Sequence, residues 1–228
     1  MEKEKLQPVR DISPTALQEY LERYREEAMS FGASDAKIIP TQELAFDRRV
    51  SLKCYVPLCM EYGACLYCPP HAPDPTKIQE SLKEYAYGIL VRIDIEPDQV
   101  AGSDLLEDLR DKITEENSSL GEVAKKYEKL FEIISRLESL AFHEGHYLAA
   151  GFGAGSCHAA LCRFQPCQAL LPGKACRFPF KARPSMEACG MDVFKIAARA
   201  GWDIYPIGAA TEATSIPKGA AIGLALID

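Results

Sequence analysis

The stretch from Cys157 to Glu187 constrains this chain more than any other segment. It holds four cysteines within twenty residues, namely Cys157, Cys162, Cys167 and Cys176. Prolines and a glycine interrupt the run, which favours a folded loop over a long helix. A loop that gathers several thiols is typical of a metal site, because thiolates bind zinc and iron–sulfur clusters. The stretch therefore predicts metal binding, whereas it does not indicate what the metal does.

A second cysteine-rich segment runs from Cys54 to His71. Its cysteines are Cys54, Cys59, Cys65 and Cys68. Pro69 and Pro70 follow the last of them, so the chain makes a rigid turn directly after that thiol. We interpret this segment as a second metal site that uses Cys54, Cys59 and Cys68, with Cys65 as an optional fourth ligand. His71 is a further potential ligand, although a capping or hydrogen-bonding role is the commoner one for such a histidine.

Disulfide bonds and plain packing are the alternatives to metal binding for these cysteines. The chain has nine cysteines, an odd number, so disulfides cannot pair all of them. The charged N-terminus lacks the apolar core of a signal peptide, which argues against a secreted disulfide scaffold. Buried cysteines can also pack as small apolar side chains, and this suits Cys189. Packing does not account for the confinement of the other eight to two short segments.

Cysteine spacing favours an iron–sulfur cluster over zinc. Structural zinc sites typically use pairs of cysteines separated by two residues, and only Cys65 and Cys68 have that spacing. The wider spacing of the later cysteines suits the larger volume of a four-iron cluster. Five basic residues and two acidic ones lie between positions 141 and 190 of a chain whose net charge is −7. Such a basic collar would stabilise an anionic cluster, although a solvated positive face is the simpler interpretation.

Composition favours a globular protein and argues against nucleic-acid binding and a membrane span. Apolar residues make up 47% of the 228-residue chain, which is enough for a sizeable core. The acidic net charge argues against a nucleic-acid partner, and no apolar run approaches the roughly 20 residues of a membrane helix. Since neither a membrane helix nor a signal peptide is evident, we place the protein in the cytoplasm, where free thiols stay reduced. We expect one domain over residues 1–228, with 1–12 as a peripheral lead-in.

Hydrophobic periodicity predicts an α/β fold with a central mixed sheet flanked by helices. The expected helices begin at Ser13-Pro14, at Asp74-Pro75, at Ser119 and after Pro184-Ser185, with a further acidic one over 103–117. The expected strands are 36–39, Val50 to Cys54, 89–95, 147–153, 202–207 and 220–227. The glycine-rich run 151–155 lacks a phosphate-binding fingerprint, so we assign it to close packing or to a tight turn beside the cluster. Both cysteine loops are expected to follow strands, where such sheets place their sites.

The cysteines and their neighbours resemble a known family, the cysteine-rich "predicted metal-binding protein" domain of unknown function from bacteria and archaea. The matching residues are Lys53-Cys54, Cys59, Tyr62-Gly63, Cys68-Pro69-Pro70, Cys176-Arg177, Pro179, Ala182 to Ala188 and Gly190 to Val193. The resemblance extends from about residue 30 to the end of the chain, and Cys65 is additional to the usual pattern. It implies metal binding, with iron–sulfur as the expected form, and it supplies no substrate.

The leading hypothesis is a cytoplasmic iron–sulfur protein of redox or anaerobic metabolism. A [4Fe-4S] cluster would be held by Cys157, Cys162, Cys167 and Cys176, and the first segment would hold a second metal. The partner would be an unidentified redox protein, with no nucleic acid and no membrane involved. One alternative is a zinc-stabilised interaction module without redox activity. Another is an enzyme that binds its substrate at an open cluster iron.

Overall fold

The computed structural model describes residue 9 and residues 12–101, 119–208 and 210–227, with the side chains of residues 119 and 120 left aside. The helices are α1 (Pro14–Ser30), α2 (Arg48–Leu52), α3 (Pro75–Ser81), α4 (Pro97–Val100), α5 (Ser119–His143), α6 (Cys157–Ala160) and α7 (Val193–Arg199). The strands are β1 (Asp35–Pro40), β2 (Tyr87–Ile95), β3 (Ala150–Phe152) and β4 (Gly219–Leu226). The acidic helix expected over 103–117 lies outside the described residues, as does most of the lead-in.

The four strands form one sheet in the order β1-β2-β4-β3. All three pairings between them are antiparallel, so the α/β class is confirmed while the sheet is antiparallel rather than mixed. In the central pairing, Leu90 lies opposite Leu224 and Arg92 lies opposite Ile222. The long helix α5 leads into the short edge strand β3, and β4 then returns between β2 and β3. This order gives each strand an antiparallel neighbour.

Apolar layers cover both faces of the sheet. On one face, α1 and α5 bury a cluster that includes Tyr24, Ile89, Leu130 and Leu137. On the other face, the segment from Met186 to Trp202 packs against Leu90, Leu224 and their neighbours. Strand β4 is buried almost throughout, which is what a strand covered on both faces requires.

Helix α5 lies unusually close to the glycine-rich run, as the sequence predicts. A Cβ atom at Gly153 would lie 2.4 Å from the Phe131 ring, and one at Gly151 would lie 2.6 Å from Ile134. Neither position can hold a side chain without moving the helix. The glycines therefore let α5 pack directly onto β3 and onto the loop that follows it.

Three local predictions are wrong. Residues 50–52 are helical because the Asp47 side chain accepts a 2.9 Å hydrogen bond from the Arg49 amide and caps α2. Residues 202–207 pair with no strand, and the Trp202 indole instead donates to Asp35. The helix expected directly after Ser185 begins at Val193, because residues 185–190 form turns first. In the described part of the chain, no helix is long and apolar enough to cross a membrane.

Candidate metal centre

The two cysteine segments meet around the Ser156 side chain. Cys68 donates a hydrogen bond from Sγ to the Ser156 hydroxyl at 3.7 Å, and Cys65 Sγ lies 3.9 Å from the same oxygen. Ser156 is the N-cap of α6, which begins with Cys157. The Cys65 thiol also hydrogen-bonds with the thiols of Cys68 and Cys157. Segments separated by about ninety residues therefore contribute to one site, a point on which the sequence is silent.

Five cysteines line one narrow crevice, which we call the thiol crevice. They are Cys65 from the first segment and Cys157, Cys162, Cys167 and Cys176 from the second. The remaining lining is largely apolar and includes Leu66, Tyr67, Leu161 and Phe178. All four cysteines expected to hold a [4Fe-4S] cluster thus face the same space. An apolar, thiol-rich lining suits a soft metal or a cluster better than a hydrated cation.

Three neighbouring thiols differ in acidity because they share hydrogen bonds. The thiols of Cys157 and Cys68 donate to Cys65, and these bonds hold the Cys65 pKa well below its usual range. The same bonds, together with burial, raise the pKa of Cys68 and of Cys157.

A buried carboxylate organises this part of the site. Glu61 accepts a 2.8 Å hydrogen bond from the Ser156 hydroxyl and lies 2.9 Å from His158 Nδ1. Ser156 in turn accepts the backbone N–H of His158 at 3.1 Å. Both Glu61 and His158 are less than a tenth exposed. The first cysteine segment is therefore fastened to the second beside Cys157, by hydrogen bonds that do not involve cysteine.

Replacing this carboxylate should destabilise the protein. In Glu61→Ala, Ser156 and His158 lose their common buried partner, and we expect the free energy of unfolding to fall by about 1–3 kcal/mol. Urea unfolding followed by circular dichroism measures the change. Glu80→Ala, on the exposed side of α3, is the matched control and should change stability by less than about 0.5 kcal/mol. Equal stability of the two variants would contradict a fastening role for Glu61.

The segment between Cys162 and Cys167 is conformationally unusual. Arg163 and Phe164 have φ angles of +48° and +59°, which non-glycine residues seldom adopt. Arg163 donates a 2.8 Å hydrogen bond to Glu128 on α5, and the Phe164 ring packs edge-on against His158. These contacts hold a backbone that costs energy on its own. The direction in which the chain leaves Cys162 is thus fixed by tertiary contacts.

Helix α5 fastens the end of the second segment as well. Arg183 forms two hydrogen bonds with Glu138, of 2.7 and 3.1 Å. Beyond it, the Gly153 amide donates to the Pro184 carbonyl at 2.9 Å, and the Met186 amide donates to the Gly153 carbonyl at 3.1 Å, which ties this turn to the end of β3. Residues 183–187 therefore connect α5 to the sheet, and turns lead from them to α7.

The basic collar expected around the later cysteines is partly neutralised. Arg163 and Arg183 pair with acids of α5. Arg177 donates to the Pro166 carbonyl at 2.8 Å and also hydrogen-bonds to Cys162, so it opposes the rise that burial causes in the Cys162 pKa. Lys174 and Lys181 form no ion pair with any acid in the described part of the chain. Positive charge therefore remains beside Cys162 and on the outer part of the loop.

Cys54 and Cys59 lie apart from the crevice lining. The Cys59 amide donates to the Cys54 carbonyl at 3.2 Å, so the two residues share one turn. Burial, then Cys59 and Glu187, raise the pKa of Cys54. Cys65 and Cys68, expected to share a site with them, instead contact Ser156 and Cys157. His71 is exposed and does not line the crevice.

The thiols are close but not arranged for a single ion. Among the described residues, no three cysteine, histidine or acidic side chains already stand together as a metal site. All nine cysteines belong to the described residues, and each is a free thiol. Cys189, the one outside both segments, is fully buried among Met186, Met191 and Trp202. This is the packing role that the sequence favours for it.

Sequence reasoning overlooked three residues of the site. Phe131 belongs to the same packed cluster as Cys65, Cys68 and Cys157. It directly follows Leu130 and is not part of the apolar stripe that helical spacing indicates along α5, which includes Leu130, Ile134, Leu137 and Ala141. Ser156 directly precedes a cysteine, which was the only local signal for it. Glu61 is the only acid between Asp47 and Asp74, and a lone carboxylate in a cysteine-rich loop was the signal there.

Comparison with known proteins bears on this arrangement. No curated protein and no solved structure matches the chain. The model of one protein family matches residues 37–226, and its description is "Predicted metal-binding protein (DUF2284)". The match spans most of the chain and includes all nine cysteines. The chain therefore belongs to this family of metal-binding proteins.

Proposed function

We propose that the protein binds a [4Fe-4S] cluster in the thiol crevice and acts in electron transfer. The observation that carries the proposal is the gathering of five cysteines from two distant segments around one apolar space. A four-iron cluster needs four thiolates, and the crevice offers one more than that. Cys157, Cys162, Cys167 and Cys176 are the proposed ligands.

Charge at the site supports a cluster. Four thiolates carry four negative charges, which iron and the surrounding protein must compensate. Arg177 hydrogen-bonds to Cys162, and Lys174 and Lys181 lie on the same loop without acidic partners among the described residues. The apolar remainder of the lining keeps water away from the sulfurs, which tunes a reduction potential.

When bound, the cluster would supply reversible one-electron chemistry. This chain's own residues would hold and insulate it. Ser156 hydrogen-bonds to the neighbouring thiols of Cys65 and Cys68, while Glu61 fixes the orientation of the Ser156 hydroxyl. Leu161 and Phe178 cover the crevice walls. With four cysteine ligands, no iron of the cluster would be left open for a substrate, so electron transfer suits the proposed ligand set better than catalysis on a bound molecule.

Metal analysis of anaerobically purified protein tests the proposal. We expect brown protein with broad absorbance near ~400 nm, and iron and sulfide in comparable amounts. Reduction with dithionite should bleach the absorbance and produce a paramagnetic signal. Colourless protein with stoichiometric zinc, unfolded by chelators, would overturn the proposal in favour of a zinc-stabilised module.

A further inference from the structure

Exposed apolar side chains are concentrated on the two cysteine segments. In the described part of the chain, seven of fourteen exposed large apolar residues belong to 54–71 or 157–187. They are Tyr55, Val56, Leu58, Met60, Leu66, Leu171 and Phe180. Leu58 is 68% exposed and Phe180 is 85% exposed. Clusters of apolar side chains on an otherwise polar surface mark sites of protein association.

The second segment also carries unpaired positive charge. Its Lys174 and Lys181, like Lys53 directly before the first segment, have no acidic partner among the residues that the structure describes. The acids of these segments are Glu61 and Glu187, and both carboxyl groups are withdrawn from solvent. The exposed part of the first segment is therefore apolar, and that of the second is apolar and basic, within a chain whose net charge is −7.

Exposed apolar side chains and unpaired lysines both lie next to residues that line the thiol crevice. Leu66 is exposed and also lines the crevice with Cys162 and Cys167. Lys174 lies between Cys167 and Cys176 in the chain. The contacts of Ser156 with Cys65 and Cys68 join the two segments, so Leu66 of the first segment and the exposed residues beside Ala169, Cys176 and Phe178 of the second border one crevice. We call this surface the cysteine face.

We propose that the cysteine face docks a small acidic electron-carrier protein. The proposal rests on the proposed iron–sulfur function and adds the kind of partner. Apolar contacts around Leu66 and Phe180 would exclude water, and the lysines would attract and orient a negatively charged partner. One electron passes from the reduced carrier to the oxidised centre of this protein, and no covalent bond forms or breaks. A basic carrier would be repelled by the same lysines.

Binding measurements with two carriers of opposite charge test the proposal. The probes are a small acidic ferredoxin and a basic cytochrome c, each titrated against the anaerobically purified full chain. We expect the ferredoxin to bind more tightly by at least about tenfold at low salt, with the preference shrinking as salt screens the charges. Equal affinities for the two carriers would overturn the proposal.

Charge reversal locates the binding surface. Lys174→Glu/Lys181→Glu should weaken ferredoxin binding by about tenfold or more at low salt. Arg25→Glu/Lys83→Glu, in α1 and after α3, makes the same change of net charge elsewhere and should alter the affinity by less than about threefold. Phe180→Ser should weaken binding at high salt as well, because its contribution is apolar. Equal losses in both charge-reversal variants would overturn the assignment of this face.

Iron and sulfide measured on the same preparations separate the two proposals. If the protein contains iron and sulfide but binds both carriers equally, the docking proposal is wrong and the cluster proposal stands. Protein without iron that still binds ferredoxin through Lys174 and Lys181 supports the surface and overturns the cluster. Circular dichroism of each variant confirms that the fold is retained, since all five substituted residues lie outside the buried core.

Discussion

The Cys162→Ser variant, purified without oxygen, is expected to bind at least about tenfold less iron than the unaltered chain. Removing a residue that only hydrogen-bonds to a metal ligand already lowers metal affinity by about tenfold or more, so removing a ligand should lower it at least as much. Cys162 lines the thiol crevice and hydrogen-bonds to Arg177. Its backbone direction is fixed by the left-handed residues Arg163 and Phe164. Serine retains the size of cysteine while removing a soft sulfur ligand.

Cys189→Ala is the matched control for this experiment. Cys189 is fully buried and its thiol lies in the apolar cluster around Met186, away from the crevice. We expect the Cys189→Ala variant to retain its iron and its colour. Loss of iron in both variants would mean that any buried cysteine substitution disturbs the fold, and full retention in Cys162→Ser would exclude Cys162 as a ligand.

Parallel substitutions distinguish the two thiols at the centre of the site. Cys65 and Cys157 hydrogen-bond to each other and both line the crevice, so only a comparison of the two can assign the fourth ligand. The proposed set predicts iron loss in Cys157→Ser and retained iron in Cys65→Ser, with an altered reduction potential in the latter. Retained iron in Cys157→Ser with iron loss in Cys65→Ser would instead make Cys65 the fourth ligand.

The Phe131→Ala variant should be the most strongly destabilised of the variants considered. The Phe131 side chain is fully buried, packs against Cys65, Cys68 and Cys157, and lies where a Cβ at Gly153 would be. We expect the free energy of unfolding to fall by about 3–5 kcal/mol, because the change removes apolar contacts and leaves a cavity. This is a large part of the roughly 5–15 kcal/mol that stabilises a typical domain.

Phe142→Ala is the control on the same helix, since Phe142 is 56% exposed. We expect it to change stability by less than about 0.5 kcal/mol. Urea denaturation followed by circular dichroism compares both variants with the unaltered chain in the same metal-loading state. Similar stability losses in the two variants would contradict the role of Phe131 as the packed base of the site.

Much of the fold follows from local sequence patterns. The apolar stripe of α5 is buried at Leu130, Ile134, Leu137 and Ala141, as its spacing predicts. Strands β2 and β4 lie where alternating or continuous apolar runs indicate them. Residues 50–52 and 202–207 do not form the strands that their sequence indicates, because a short apolar run fits the period of a helix and that of a strand equally well. Helix capping and strand pairing then decide which structure forms.

The candidate site was only partly predictable, for a physical reason. Cysteine is rare enough that eight in two segments indicate metal binding by themselves. Contacts between residues far apart in the chain leave no comparable pattern in the sequence. Glu61, Ser156 and Phe131 belong to ordinary residue types, and their roles arise only because α5, β3 and the two segments converge.

The sequence alone determined that this is an α/β, cysteine-rich, metal-binding chain, because periodicity and thiol spacing are local properties. The tertiary structure decided how the cysteines are grouped. It brings Cys65 and Cys68 to Cys157 and leaves Cys54 and Cys59 in a turn of their own. The grouping depends on the close approach of α5 to Gly153 and on the buried bonds of Glu61. The bonds of Glu61 join residues more than ninety positions apart, and the close approach of α5 joins a helix to a separate strand, so no local pattern encodes either.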